Sequence, residues 1–180
     1  MADVTAFRKG LSEESDRGCA LFATAYLEKA LSDLLFVSVV YGDTKKMERD
    51  LFEFNSPLGT FSSRIKMAYY LGKISKVTRR ELDLLRNIRN RFAHHPTTVS
   101  FDDEAVANQC RELRFTYRER SDAPRLLFTG SVVGVLAQIH GATYAAEAPQ
   151  EKPDDAPTDK EKADHREKQS AAQRNLENDT

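Results

Sequence analysis

Apolar residues recur along most of this chain at the three- and four-residue spacing of an α-helix, and no strand-like alternation lasts for more than a few positions. This periodicity predicts an all-α fold, because each helix must bury its apolar stripe against another. With 180 residues, the chain suits a single helical bundle of about six helices. The predicted helices cover residues 13–41, 45–53, 61–71, 79–95, 100 or 102–118, and 125–146.

Several residues mark where these helices begin and end. Thr60 is the predicted N-cap of the third helix, and Gly72 its terminator. Thr78-x-x-Glu81 matches a capping box, in which each of the two side chains accepts a hydrogen bond from a free amide of the first turn. Pro96 ends the fourth helix, because a proline disfavours the α conformation in the residue before it.

The C-terminal stretch differs in composition from the rest. Residues 147–180 carry ten Asp or Glu against six Lys or Arg and contain no aromatic residue. Such a segment cannot bury enough apolar surface to offset the entropy of ordering. We therefore expect a helical domain over residues 1–146, with a formal charge of +3, and a disordered acidic tail over residues 147–180.

The chain carries no clear sign of secretion or of a membrane anchor. Cys19 and Cys110 are too few for a disulfide scaffold, and the polar N-terminal stretch lacks the apolar core of a signal peptide. Residues 19–41 have a spanning length, but three ionisable residues lie near their middle. Residues 126–146 contain a G-x-x-x-G pattern but are diluted by polar residues and glycines. We expect a cytoplasmic protein without a membrane span.

The helix predicted over residues 79–95 has two distinct faces. At 100° per residue, Leu85, Ile88 and Phe92 share a narrow apolar seam. The opposite side presents a stripe of hydrogen-bonding groups: Asp83, Asn87, Asn90 and His94.

The same region is strongly basic. From residue 64 to residue 91 there are nine Lys or Arg and two acidic residues. Such a block suits phosphate groups or an acidic partner, although a polar stripe with arginines is also typical of a solvated face. The candidate surface for a partner or nucleic acid consists of Arg79, Arg80, Arg86, Arg89 and Arg91.

Two carboxylates interrupt the otherwise apolar first helix. Glu28 and Asp33 each require a polar partner, and we expect one of them to receive an arginine from the fourth helix, with Arg86 or Arg89 first in line. The predicted structural polar network comprises Glu28, Asp33, Asp83, Asn87 and Asn90.

Other chemistry has little support in the sequence. His94 and His95 point about 100° apart on a helix, and no further Cys or His lies at zinc-like spacing. Cys19 lies in an apolar helix and is interpreted as a core residue. The chain has no glycine-rich phosphate-binding motif. We therefore expect no metal and no cofactor.

Three segments resemble the mannitol operon repressor (MtlR) family. They are ESDRGCALFATAYLEKALSDLL (14–35), NSPLGTFSSRIKMAYYLGKIS (55–75) and ELDLLRNIRNRFAHH (81–95). The resemblance covers about residues 10–145 and implies a compact all-helical bacterial protein that regulates carbohydrate uptake genes. The family is not known for an obvious helix-turn-helix, and we find none in this sequence.

A second, more distant resemblance concerns one short motif. Residues 89–94, RNRFAH, are similar to the R-N-x-x-x-H pattern of HEPN-type helical domains, many of which are ribonucleases. That resemblance implies a metal-independent site in which Arg89 stabilises phosphate charge, Asn90 orients the phosphate and His94 moves a proton. On a regular helix Arg89 and His94 lie about 140° apart, so they converge only if the helix end unwinds or a second subunit supplies one of them.

Together these observations favour a non-enzymatic transcriptional regulator. We expect it to act through a homodimer or another protein partner, with nucleic acid as a further ligand to test. The alternative is a HEPN-like ribonuclease or RNA-binding protein that uses Arg89, Asn90 and His94.

Overall fold

The computed structural model describes residues 7, 10–11, 13–39, 42–94, 99–115, 123–152 and 155–178, with side chains described through residue 170. Over these residues it contains seven α-helices and no strand, which confirms the all-α fold. The helices are α1 Asp16–Phe36, α2 Thr44–Phe52, α3 Phe61–Tyr70, α4 Lys76–His94, α5 Glu104–Arg111, α6 Pro124–Tyr144 and α7 Asp159–Asn178.

Helix α1 lies at the centre of the bundle and packs against α3, α4 and α6. It begins after Ser15, whose Oγ accepts a hydrogen bond from the Gly18 N–H at 3.1 Å. It ends earlier than predicted, because the Ser38 N–H turns back to the Leu35 carbonyl at 3.0 Å. Residues 40–41 of the predicted helix lie outside the described residues.

Both ends of α3 follow the sequence signals closely. Thr60 Oγ1 accepts from the Ser63 N–H at 3.1 Å, which confirms Thr60 as the N-cap of α3. Gly72 has a φ of 67°, a left-handed conformation that favours glycine after a helix end. These two positions fix where α3 begins and ends.

Helix α5 is shorter than predicted. It begins at Glu104 with Asp103 as N-cap residue and ends at Arg111, rather than running from residue 100 or 102 to residue 118. The chain leaves the helix here because the backbone N–H groups of residues 114 and 115 donate to Glu81 on α4. Residues 116–118 lie outside the described part of the chain.

Helix α6 has the length and apolar composition of a membrane span. In the structure it packs against α1, α4 and α5, as the core helix of a bundle does. A Cβ at Gly134 would lie 2.1 Å from the Phe115 carbonyl oxygen, so this glycine lets the segment after α5 lie directly on α6. Packing inside the bundle therefore accounts for the second glycine of the G-x-x-x-G pattern.

The chain divides into two compact units, Met1–Pro149 and Gln150–Thr180. In the second unit, helix α7 lies within the acidic segment of residues 147–180. Every side chain of α7 that is described, over residues 159–170, is exposed, so this part of the helix buries no apolar stripe. The boundary at residue 146 stays a prediction.

Candidate functional site

Helix α4 carries the arginine-rich motif and begins before the predicted capping box. The helix starts at Lys76, and Ser75 Oγ accepts from the Thr78 N–H at 3.1 Å. The capping box predicted at Thr78 and Glu81 is therefore wrong. Both of its side chains are buried, and Glu81 is 0% exposed.

Glu81 instead anchors the segment after α5 and helix α6. Its Oε1 accepts hydrogen bonds from the N–H groups of Arg114 at 2.6 Å and Phe115 at 2.9 Å. The Ser131 hydroxyl donates to the same oxygen at 2.7 Å. Glu81 Oε2 has no hydrogen-bond partner among the described residues. This carboxylate therefore connects three chain segments at one buried point.

The two predicted faces of α4 are present. The seam residues Leu85, Ile88 and Phe92 are buried, which confirms the periodicity. The opposite stripe is half-buried or exposed: Asp83, Asn87, Asn90 and His94.

Arg79 lies at the edge of α4 that faces α3. Its guanidinium is 4.7 Å from the ring centroid of Tyr69 and 5.6 Å from that of Tyr70. Asp83 lies between two arginines, 3.9 Å from Arg79 Nε and 3.5 Å from Arg86 Nη2. The structure thus brings two of the predicted arginines together with two tyrosines that the sequence analysis did not single out.

Arg80 and Arg91 lie on the other edge of α4, towards α5. Arg80 Nη2 is 3.1 Å from Glu112 Oε2, and Arg91 Nε donates to Gln109 Oε1 at 2.9 Å. The five arginines therefore belong to more than one group. Their assignment to a partner or nucleic-acid surface stays a prediction.

The R-N-x-x-x-H motif is only partly assembled. Arg89 Nη1 donates to Asn90 Oδ1 at 3.1 Å. His94 is exposed at the end of α4, and among the described residues no hydrogen bond joins it to Arg89 or Asn90. His95 lies outside the described part of the chain.

The expected pairing of α1 carboxylates with Arg86 or Arg89 is wrong. Glu28 Oε1 is 3.1 Å from Nη1 of Arg64 on α3, and Asp33 pairs with Lys29 on its own helix. The partner of Glu28 is an arginine, but it comes from α3, which packs on α1.

Arg64 also holds the loop before α3. It donates to the Leu58 carbonyl at 2.7 Å and to the Phe52 carbonyl at 3.1 Å. The predicted polar network does not form as one unit over the described residues. Glu28 pairs with a side chain of α3 and Asp33 with one of its own helix, whereas Asp83 and Asn90 contact arginines of α4.

The family model for the mannitol repressor, MtlR, matches residues 14–125 of this chain. The chain belongs to the mannitol repressor family. A solved structure, the X-ray structure of the MtlR–HPr complex from Escherichia coli, is similar in fold. Its TM-score is 0.64 at 18% sequence identity, and the match covers 79% of this chain and 99% of that chain. No curated protein matches by sequence.

The two ends of the region that matches the mannitol repressor family meet in space. Arg125 Nη1 is 2.8 Å from Asp16 Oδ1, and Asp16 Oδ2 accepts at 3.0 Å from the Ser100 hydroxyl and from the Phe101 N–H. Sequence reasoning did not find this cluster, because its members lie 84 to 109 residues apart along the chain.

The two cysteines of this mannitol repressor family member are core residues. Burial raises the pKa of Cys19 to about 11, although the nearby Arg125 opposes the increase, and burial raises the pKa of Cys110 to about 12. Both are therefore protonated thiols at neutral pH, which agrees with the interpretation of Cys19 as a packing residue.

Proposed function

We propose that this protein is a non-enzymatic transcriptional regulator of carbohydrate uptake genes that acts in the cytoplasm through association with another protein. The observation that carries the proposal is the mannitol repressor family match over residues 14–125. The similar E. coli protein was solved as a complex with HPr. HPr from the same organism as this chain is therefore the first partner to test.

Two measurements test the proposal. In cells, deletion of the gene is expected to raise expression from a mannitol-operon reporter, and the wild-type gene to restore repression. In vitro, titration of the full chain with HPr in a calorimeter is expected to give a saturable complex. An unchanged reporter contradicts the regulatory function, whereas an absent HPr complex contradicts only this choice of partner.

A homodimer is the alternative to a different protein as the partner, and nucleic acid is a further ligand to test. The support for nucleic-acid contact is the excess of Lys and Arg between residues 64 and 91. Light scattering on the purified protein tests the dimer. Binding of labelled duplex DNA that weakens steeply with salt is expected if the arginines contact phosphates.

A second candidate function is a metal-independent ribonuclease. It is favoured by the bond between Arg89 and Asn90 and by the exposed His94 on the same helix. Incubation with labelled RNA without divalent metal tests it. Cleavage that His94→Ala abolishes would identify an enzyme, whereas a regulator leaves the RNA intact.

A further inference from the structure

One exposed face of the bundle combines apolar, aromatic and cationic side chains. Met67, Tyr70 and Leu71 project from the end of α3, and Tyr70 is 75% exposed. Arg79 of α4 lies over the Tyr70 ring at 5.6 Å. We name these four residues the tyrosine–arginine face.

The arginine of this face is held in place before any ligand binds. Its guanidinium contacts both Tyr69 and Tyr70, and its Nε lies 3.9 Å from Asp83. A cation fixed on aromatic rings loses less conformational freedom on binding than a free side chain does. Tyrosine and arginine are also among the residue types that are enriched at positions dominating the binding energy of protein interfaces.

The surroundings of the face are positively charged. Lys66 precedes Met67, and Lys73 and Lys76 lie in and after the α3–α4 turn. Among the described residues, none of these three lysines forms an ion pair, and Asp83 is the carboxylate that Arg79 contacts. An opposing surface must therefore supply negative charge.

We propose that the tyrosine–arginine face docks an acidic segment of a partner protein, in which carboxylates flank an apolar or aromatic side chain. This inference rests on the proposed function, since it names where the regulator meets a protein. A second copy of the chain docked through the same face fits poorly, because it would bring like charges together. Met67 and Leu71 favour a protein over a nucleic acid, because they offer an apolar contact that phosphates and sugars do not use.

Binding of a glutamate–tyrosine copolymer to the full chain tests the proposal, with polyglutamate of equal length as the charge-only probe. The wild-type chain is expected to bind the copolymer more tightly than polyglutamate. Tyr70→Ala and Arg79→Ala should each weaken copolymer binding about tenfold or more. Arg111→Ala is the matched control, because Arg111 is exposed on α5 and donates to Asn108 on the same helix; it should bind as the wild type does.

Three results of the copolymer experiment would overturn the docking proposal. They are no copolymer binding by the wild-type chain, equal affinity for the copolymer and polyglutamate, and variants that lose no affinity while their thermal unfolding shows them folded. An equal loss of single-stranded RNA binding in the same variants would assign the face to nucleic acid instead. The reporter experiment separates this inference from the proposed function. If the folded Tyr70→Ala and Arg79→Ala variants still repress the reporter, the proposed regulatory function stands and the docking proposal is contradicted.

Discussion

Glu81 has the most demanding environment of the described carboxylates, because three donors share one of its oxygens inside the core. Glu81→Ala should lower the free energy of unfolding by about 3 kcal/mol or more, since buried donors without an acceptor are costly. Glu81→Gln keeps an acceptor oxygen, so it should lower the free energy of unfolding by less than Glu81→Ala does. Some loss is expected, because the amide N–H donors would replace Oε2, which has no partner among the described residues.

Urea unfolding followed by circular dichroism measures these differences. Glu48→Ala is the control, because Glu48 is exposed on α2 and should change stability by less than about 0.5 kcal/mol. A Glu81→Ala protein as stable as the wild type would show that the cluster does not hold the bundle together.

The buried cysteines give a second prediction for individual residues. With a pKa near 11 rather than 9.0, Cys19 holds about a hundredth of the ordinary thiolate fraction at pH 8. Alkylation of both thiols by iodoacetamide should therefore be at least about a hundredfold slower in the native protein than in urea. Mass spectrometry at intervals measures the rate. Rapid labelling of either cysteine in the native state would contradict its burial.

Local patterns in the sequence correctly predicted features that depend only on residues nearby in the chain, such as a helix cap or the buried face of a helix. The Thr60 cap and the buried seam of Leu85, Ile88 and Phe92 follow from spacing within one helix. The partners of Glu28 and Glu81 do not, because they depend on which helices pack together. A glutamate three residues after a threonine satisfies the capping pattern whether its side chain turns back to the helix start or, as here, into the core.

Helix α6 offers a matched pair of glycines with opposite expected effects. A Cβ at Gly134 would meet the backbone oxygen of Phe115 at 2.1 Å, so Gly134→Ala should destabilise the protein by about 1–3 kcal/mol. Gly141 has nothing within 4 Å, so Gly141→Ala should stabilise the helix by about 0.5–1 kcal/mol. Thermal unfolding of both variants measures whether each substitution raises or lowers the stability. Equal stabilisation by both would mean that the segment after α5 does not press on α6.

The extent of each helix was predicted less well than its existence. Helix α1 ends early where the Ser38 N–H turns back to the Leu35 carbonyl, and α5 ends early because the backbone amides after it bond to Glu81 on α4. The contacts of the candidate arginine surface also could not be predicted from the sequence. Sequence placed five arginines on one helix, but only the fold shows that Arg79 lies on two tyrosines and Arg80 beside Glu112.

For the molecule as a whole, the cluster around Asp16 closes the bundle by joining its first helix to α6 and to the segment before α5. Asp16 accepts hydrogen bonds from Ser100, Phe101 and Arg125, and Arg125 also donates to the Leu11 carbonyl at 2.9 Å. Asp16→Ala should lower the free energy of unfolding by about 2 kcal/mol, a value reduced for the partial exposure of the pair.

Asp33→Ala is the matched control for this prediction, because it also removes a paired aspartate from α1. The side chain of Asp33 is 51% exposed and pairs with Lys29 one turn away, so its loss should cost less than about 0.5 kcal/mol. Native-state hydrogen exchange adds spatial information, since Asp16→Ala should speed exchange at the start of α1 and of α6 together. Faster exchange at α1 alone would mean that the two ends of the family region are held independently, and that Asp16 stabilises only the first turn of α1.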